Sequence, residues 1–310
     1  YYDPSSETVL DYHGGMGDIR SKTIRMIGNP TKRYREDPVR MLRAIRFAAK
    51  TGFQIEPKTL APIHELGQLI HDVPSARLFD EILKLLMSGH AWAGIQALRH
   101  ANLHHGLLPF MARALEDPQA AQFIEEALRN TDERIQMGKS VSPGFLFAAL
   151  LWPDLEKQWQ SLRKTGMPAL AALHAAIDAV VAPSHTGISI QRRHEGDMRD
   201  IWTMQPRFEK RVGRYPDRLV EVPRFRAGYD FMLLRSQTGY CKPSLGQWWT
   251  DFYHADLPQR EALLATAKLE DIDPGQTPSN PNRKRRRRPK KTKPGPEIQP
   301  DSGLNGAKQN

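Results

Sequence analysis

The feature that most constrains this chain is a series of apolar residues at helical spacing, which begins near Glu36 and continues almost to residue 270. The clearest case is residues 78–86, where large apolar side chains recur three and four positions apart. Short segments containing Gly, Pro, Asn or Asp separate these stretches. Because closely connected amphipathic helices pack against one another, the pattern predicts a mostly α fold.

The apolar periodicity and the helix-ending residues predict the bounds of individual helices. Those bounds are 37–52, 58–70, 75–88, 91–101, 117–138, 143–152, 166–181, 197–212, 217–236 and 244–254. Residues 1–30 are β-prone instead, and Thr8–Leu10 and Thr23–Ile27 are expected to be strands around a glycine-rich turn. Since an isolated hairpin is marginal in water, we expect these strands to be the edge of a larger sheet.

The basic charge is concentrated near the two ends of the chain. The formal net charge is +10, and Arg283–Lys293 holds nine basic residues, so the remainder carries about +1 (10 − 9). Ten more basic residues lie between Arg20 and Lys50, against Asp18, Glu36 and Asp37. Such an excess of basic over acidic residues favours a polyanionic partner. Residues 274–310 offer almost nothing to bury and are predicted to form a disordered basic tail.

Several classes of protein are disfavoured by composition. Cys241 is the only cysteine, which excludes an intrachain disulfide framework and fits a reducing, cytoplasmic location. No apolar stretch approaches the roughly 18 residues expected of a membrane-spanning helix. The first residues, Tyr1-Tyr2-Asp3, have neither the basic start nor the apolar stretch of a signal peptide and no initiator Met, so we expect a chain cut from something longer.

The helix expected at 37–52 has two chemically distinct faces. At about 3.6 residues per turn, four cations fall on one side, opposite an apolar face. These cations are Arg40, Arg43, Arg46 and Lys50. The sequence shows no acid at i,i+4 within this cationic stripe, so we expect these like charges to be unpaired and available to bind an anion. The simpler alternative is a solvated basic face of the kind many surface helices carry.

The segment Tyr34–Lys50 (YREDPVRMLRAIRFAAK) strongly resembles the neck motif of the class II nucleotidyltransferases, which include poly(A) polymerases and CCA-adding enzymes. The preceding elements Asp11–Gly15, Asp18-Ile19 and Ile24–Gly28 resemble the end of the same family's head domain. The resemblance implies a helical neck, body and leg, with a small β remnant of the head. The implied bounds are 1–30 for the head remnant, 31–90 for the neck, 91–185 for the body, 186–270 for the leg and 271–310 for the tail.

In this family the E-D-x-x-R pattern holds the base of the incoming nucleotide. The resemblance therefore implies nucleotide contacts for Glu36, Asp37 and Arg40, with Arg43 one turn further along. A carboxylate can accept from an exocyclic amine, and an arginine can donate to a ring nitrogen. Plain helix capping by Asp37, with Pro38 at the first helical position, and a local salt bridge of Glu36 remain open alternatives. On the same helix and just before it, Lys32, Arg33, Arg46 and Lys50 are expected to face RNA or phosphate.

The family's reaction is phosphoryl transfer from a nucleotide, with Mg²⁺ held by carboxylates of the head domain. The resemblance implies Mg²⁺ as cofactor and ATP as substrate, but we assign no catalytic carboxylate to this chain and expect those residues before Tyr1. The chain alone is therefore expected to be inactive. Asp271 and Asp273 have paired-aspartate spacing but stand beside Pro274 in a linker, so we assign them no metal.

The second half of the chain indicates which of the two branches of the family this chain resembles. Its residues 201–235 and its arginine-rich end resemble the leg and tail of bacterial poly(A) polymerases, which add AMP from ATP to RNA 3′ ends. A CCA-adding enzyme is the first alternative, and a free-standing RNA-binding module is the second. RNA contacts are expected in the basic leg and the tail. They are Arg207, Arg211, Arg285, Arg286, Arg287 and Arg288. Ordinary core aromatics in the leg and a merely solubilising tail remain alternatives.

Overall fold

A computed structural model describes residues 1–182 and 188–270. Three expectations fall outside this range: the disordered tail, the absence of a metal at Asp271 and Asp273, and the RNA contacts of residues 285–288. Within it, no helix is long and apolar enough to cross a membrane.

Helices dominate the described residues, which confirms the predicted mostly α class. In chain order they are α1 (Gly15–Arg20), α2 (Pro30–Glu36), α3 (Val39–Thr51), α4 (Pro57–Leu66), a 3-10 helix (Gly67–Asp72), α5 (Ser75–Leu86), α6 (Ala91–His100), α7 (His104–Leu107), α8 (Pro109–Ala114), α9 (Pro118–Gln136), α10 (Pro143–Lys164), α11 (Ala169–Val181), α12 (Arg192–Phe208), α13 (Tyr215–Val220), α14 (Phe225–Gln237), α15 (Pro243–His254) and α16 (Leu257–Glu270).

The strands near the N-terminus are present, but they pair differently from the expected hairpin. Strand β1 (Tyr2–Asp3) pairs antiparallel with β2 (Thr8–Val9). Strand β3 (Thr23–Ile24) instead pairs in parallel with β4 (Gln54–Ile55), beyond α3. The predicted pairing of residues 8–10 with 23–27 is therefore wrong, because the glycine-rich segment between them is not a simple hairpin turn.

That segment forms the helix α1. Gly14 adopts the left-handed conformation, with φ at 74°, and turns the chain into the helix. The carboxylate of Asp11 then accepts hydrogen bonds from the backbone N–H groups of Gly15 and Met16, each at 2.8 Å. These bonds satisfy donors that the first turn of a helix would otherwise leave unpaired.

Helix α2 was not anticipated, although the sequence carries its start signals. Asn29 caps it by accepting from the backbone N–H of Lys32 at 3.0 Å, and Pro30 occupies its first turn. Helix α3 ends at Thr51, close to the predicted end, and Gly52 after it forms a left-handed C-cap with a φ of 70°. Buried Tyr34 anchors α2 by donating from its hydroxyl to the carbonyl of Thr59 at 3.0 Å.

Other bounds also differ from the prediction: α12 begins at Arg192, the helix expected at 58–70 is divided into α4 and a 3-10 helix, and α7, α8 and α16 were not predicted. Two further differences have a visible cause. Helix α10 continues past Pro153 to Lys164, and its buried residues on both sides of the proline explain why it is not interrupted. The helix expected at 217–236 is divided into α13 and α14, because Arg224 takes a left-handed φ of 71° just before α14.

Aromatic side chains join the neck helices to the later ones. Phe79 of α5 stacks on Phe147 of α10, with ring centroids 5.4 Å apart, and on His194 of α12 at 6.1 Å. A second buried cluster, which includes Phe208, Trp249 and Phe252, joins the last five helices, α12 to α16. The apolar face predicted for α3 is buried in the first cluster, so its opposite face is held in a fixed position.

Candidate nucleotide and RNA interfaces

The side chains of the E-D-x-x-R pattern come together where α2 meets α3. Glu36 is the last residue of α2, Asp37 is extended with φ at −153°, and α3 begins directly after Pro38. The turn places Arg40, in the first turn of α3, against the end of α2. Two carboxylates and an arginine therefore share one short junction, and packed helices hold both sides of it.

Glu36 is held between two arginines. Its Oε2 accepts from Arg33 Nη1 at 2.7 Å and from Arg40 Nη1 at 2.9 Å. Arg40 Nη1 also donates to the backbone carbonyl of Arg33 at 2.9 Å, which fixes the guanidinium against α2. The hydrogen bond from Arg40, together with the two positive charges, lowers the pKa of Glu36, so this carboxylate stays ionised.

Asp37 joins the junction to α5. Arg77 Nη2 donates to both of its carboxylate oxygens, at 3.1 and 3.0 Å. The same carboxylate accepts from the backbone N–H of Val39, the first residue of α3, at 3.3 Å. Pro38 occupies the N-cap position itself, so Asp37 satisfies a donor of the helix start from one residue earlier than a cap. Arg77 gave no signal in the sequence, because it lies 40 positions away on a different helix.

The cationic stripe of α3 is partly neutralised, so the expectation of an unpaired stripe is wrong. Glu36 stands four positions before Arg40 and pairs with it, and Glu81 of α5 lies 3.4 Å from Arg46. Both Arg46 and Glu81 are largely buried, at 15% and 11% exposed. Helices α2 and α5 supply these acids, so the spacing within α3 alone did not reveal them.

The remaining cations of the neck are accessible. Arg43 and Lys50 are exposed, and within residues 1–182 and 188–270 neither has an ion-pair partner. Lys32 is also exposed, and it lines a shallow depression beside α2 with Asn29 and Arg35. The neck thus combines a fixed acid–arginine junction with exposed positive charges next to it.

In the leg, some cations contact aromatic side chains, whereas other aromatic side chains of the same region are buried. Arg207 Nε donates to the hydroxyl of half-buried Tyr215 at 3.2 Å, and Lys210 Nζ lies 4.8 Å from the same ring. Arg211 lies over Trp248, with its Cζ 5.7 Å from the ring centroid. The buried Trp202 and Phe208 are ordinary core aromatics, as the simpler alternative held.

The comparisons with known proteins point to one group. The family described as "Probable RNA and SrmB- binding site of polymerase A" matches residues 52–115, and the family described as "Polymerase A arginine-rich C-terminus" matches residues 165–292. Poly(A) polymerase I of Salmonella typhi is 39% identical over 300 residues, which is 95% of this chain. The chain is a homologue of bacterial poly(A) polymerase I. It spans 63% of the length of that relative.

Other matches are to CCA-adding and tRNA-processing enzymes. A CCA-adding enzyme of Limosilactobacillus fermentum is 40% identical over 97 residues, but this covers 31% of the chain and 24% of the relative. A solved structure titled "tRNA-processing enzyme (apo form 2)" aligns with a TM-score of 0.50 and 17% identity, over 84% of this chain and 68% of the other. That likeness concerns the fold alone.

The described residues do not fit the Mg²⁺ site that the family implies. In the part of the chain that the structure describes, no three His, Cys, Asp or Glu side chains are grouped closely enough to share a metal ion. The carboxylates of Glu36 and Asp37 are already hydrogen-bonded to arginines. We therefore derive no step through a metal from these residues.

Proposed function

We propose that the intact protein is a polynucleotide adenylyltransferase, which adds AMP from ATP to RNA 3′ ends without a template. The observation that carries this proposal is the 39% identity with poly(A) polymerase I over 95% of the chain, a length that includes the whole neck. The match to the CCA-adding enzyme covers 31% of the chain, which favours the poly(A) branch.

In this proposal the junction of α2 and α3 contacts the base of the incoming nucleotide. Asp37 accepts from an exocyclic amine, Arg40 donates to a ring nitrogen, and Glu36 supports Arg40 or contacts the base itself. Arg43 is exposed one turn further along and suits the triphosphate. The support is the geometry of the junction, because Arg33 and Arg77 restrain the two carboxylates before a ligand arrives.

RNA is proposed to follow the cationic surfaces on either side of this junction. In the neck these are Lys32, Arg33, Arg46 and Lys50. Arg46 is the weakest of them, since it is largely buried beside Glu81. In the leg, Arg207 and Arg211 lie near Tyr215 and Trp248, and a basic groove with aromatic rings suits single-stranded RNA. The family match at residues 52–115 supports an RNA-binding role between the two.

The metal-binding carboxylates are proposed to lie in the part of the relatives' length that this chain does not span. When bound there, Mg²⁺ would neutralise the charge that develops on the transferred phosphoryl group. The residues described here would orient the base and the RNA end, which is the positioning contribution to such a reaction.

The test is nucleotide incorporation into an RNA 3′ end by the protein extended with the residues its gene encodes before Tyr1. Supplied separately with ATP, CTP, GTP and UTP, it is expected to incorporate adenylate in preference to the others. Addition of cytidylates followed by one adenylate would identify a CCA-adding enzyme. RNA binding with no incorporation of any nucleotide would identify an RNA-binding module.

A further inference from the structure

A cavity lies where the body meets the leg, apart from the neck. It has a volume of about 490 Å³ and is bounded by α10, α12, α14 and the residues that lead into α15. Binding cavities for small ligands commonly measure about 300 to 1,000 Å³. No residue of the α2–α3 junction lines it.

One wall of this cavity contains a buried arginine. Arg235 is 5% exposed, and its Nη1 and Nη2 donate to two neutral oxygens, Gln205 Oε1 and the Tyr240 carbonyl, each at 3.3 Å. Its guanidinium carbon lies 4.6 Å from the ring centroid of Trp152. Among the described residues no carboxylate comes within ion-pair distance, and Nε has no acceptor. Burying a charge without a close counter-charge is costly, so the site is incomplete without an anion.

The rest of the lining adds positive charge and an unused acceptor. Arg163 and Lys242 are exposed at the cavity, and Arg211 also lines it, against the acids Glu156 and Glu209. Glu156 Oε1 accepts from a glutamine at 2.8 Å, but its buried Oε2 has no donor. Arg163, Arg235 and Lys242 outnumber the two acids, which favours an anion, and the free carboxylate oxygen favours a ligand that also carries a hydroxyl or amine.

We propose that this cavity binds one nucleotide unit of an RNA strand. The phosphate contacts Arg163, Arg235 and Lys242, since guanidinium and ammonium groups are the usual phosphate donors. Glu156 accepts from a ribose hydroxyl or a base amine of the same nucleotide. The inference rests on the proposed function, because it adds a separate RNA contact to the leg of an RNA-binding protein.

Replacing Arg235 with methionine separates binding from packing. Met keeps an apolar stem against Trp152 and removes the buried charge, so the thermal midpoint should be unchanged or raised. We expect the Kd of the 310-residue chain for oligo(A) to rise about tenfold, and the slope of log K against log salt to become shallower by about 0.7. A purely structural arginine would give the opposite result, with a lowered midpoint and unchanged affinity and slope.

The exposed cations test the site without disturbing the core. Arg163→Ala and Lys242→Ala should each raise the Kd for oligo(A) about threefold and reduce the salt slope by up to about 0.7. Lys164→Ala is the matched control, because Lys164 is an equally exposed cation next to Arg163 that does not line the cavity. If Lys164→Ala raised the Kd as much as the other two variants, the loss of affinity would come from the lower net charge alone. The cavity would then be excluded as the RNA-binding site.

Cys241 reports occupancy directly. It lines the cavity and is the single cysteine of the 310-residue chain. Saturating oligo(A) should slow its reaction with a thiol reagent severalfold, and AMP should protect only at far higher concentration. Protection by AMP alone, with none by oligo(A), would overturn RNA as the source of the nucleotide.

The outcomes distinguish this inference from the proposed function. A wild-type chain that does not bind oligo(A) would contradict the RNA-binding role itself. A wild-type chain that binds oligo(A), with unchanged affinity in the Arg163 and Lys242 variants and no protection of Cys241, would overturn the cavity alone. Should Arg235→Met fail to fold, these two measurements still decide the matter.

Discussion

The α2–α3 junction of the neck and the surface around Tyr215 in the leg hold their arginines in different ways. At the α2–α3 junction, Arg40 and Arg77 donate to the carboxylates of Glu36 and Asp37. Around Tyr215 in the leg, Arg207 bonds to the phenol and Lys210 lies over its ring. The junction pairs its arginines with acids, whereas this part of the leg places its cations against aromatic groups.

The difference matters because the two arrangements suit different ligands. A restrained set of acids and arginines offers donors and acceptors at fixed positions, as reading a base edge requires. Cations among aromatic groups offer charge and stacking with little regard to base identity, as binding a single strand requires. The comparison therefore predicts that neck variants change nucleotide choice and leg variants change RNA affinity.

The largest expected effect is that of Asp37→Asn on nucleotide choice. Asn keeps the shape and can still accept at the start of α3, but it removes the charged acceptor. If Asp37 contacts the base, the preference of the extended protein for ATP over CTP should fall by about 1–3 kcal/mol, or roughly 5- to 150-fold. The measurement is the ratio of initial incorporation rates with the two nucleotides.

The control for that prediction is Asp117→Asn. Asp117 caps α9 by accepting from two backbone N–H groups, at 2.8 and 3.2 Å. Asp117→Asn therefore removes the same charge as Asp37→Asn from the start of another helix. It should leave the ATP to CTP ratio unchanged. If the ATP to CTP ratio fell equally in both variants, the effect would come from lost stability. If the ratio were unchanged in Asp37→Asn, the role of Asp37 would be limited to the start of α3.

A second prediction concerns the leg. Replacing Arg207 and Lys210 together with alanine should weaken oligo(A) binding several-fold at low salt and reduce the salt slope by up to about 1.4, since each phosphate contact on a single strand contributes about 0.7. The nucleotide ratio should not change. The measurement is a titration of labelled oligo(A) at several salt concentrations, with exposed Lys139→Ala as the control. A changed ATP to CTP ratio would contradict the assignment of nucleotide choice to the neck and RNA affinity to the leg.

A smaller effect is expected for Arg77→Ala. The side chain of Arg77 is 54% exposed, so its pair with Asp37 should contribute no more than about 1 kcal/mol to the free energy of unfolding. Because Asp37 would lose the donor that restrains it, the ATP to CTP ratio should fall by less than in Asp37→Asn. Urea unfolding and the incorporation ratio measure the two quantities. If the ATP to CTP ratio fell further in Arg77→Ala than in Asp37→Asn, Arg77 itself would be identified as the base contact.

The smallest effect concerns the contact between neck and leg, where His194 stacks on Phe79. Burial, together with the neighbouring Arg193, lowers the pKa of His194 below its ordinary 6.5. A histidine with a depressed folded pKa stabilises the fold above about pH 6.5, and this stability is lost as the pH falls below that value. The urea midpoint should therefore decline from about pH 7 to 5, and less so in His194→Met. An identical decline in the variant would exclude His194 as a contributor.

The sequence predicted those features that local spacing determines. The buried face of α3 and the C-cap at Gly52 follow from residues within a few positions of one another. The pairing of β3 with β4 and the contact of Arg77 with Asp37 could not be found this way, since each joins residues 31 to 40 positions apart. Such contacts depend on how helices pack, which a single sequence does not encode at any fixed spacing.

Two omissions had other causes. Helix α2 could have been found, because Asn29 and Pro30 are ordinary start signals. A local salt bridge of Glu36 was kept open as an alternative, but its partner Arg40 was not identified, because their i,i+4 spacing crosses a break between two helices. The burial of Trp202 and Phe208 was left open, since an aromatic residue among cations suits both a core and an RNA surface.

The central claim, that the neck selects the nucleotide, is tested most directly by Arg40→Ala in the extended protein. Arg129→Ala is the control, because Arg129 makes the same i,i+4 pair with a glutamate on α9. The ratio of ATP to CTP incorporation should fall about tenfold or more in Arg40→Ala and stay constant in Arg129→Ala, while oligo(A) affinity changes little in either. An unchanged ratio in Arg40→Ala, with RNA binding lost instead, would contradict it.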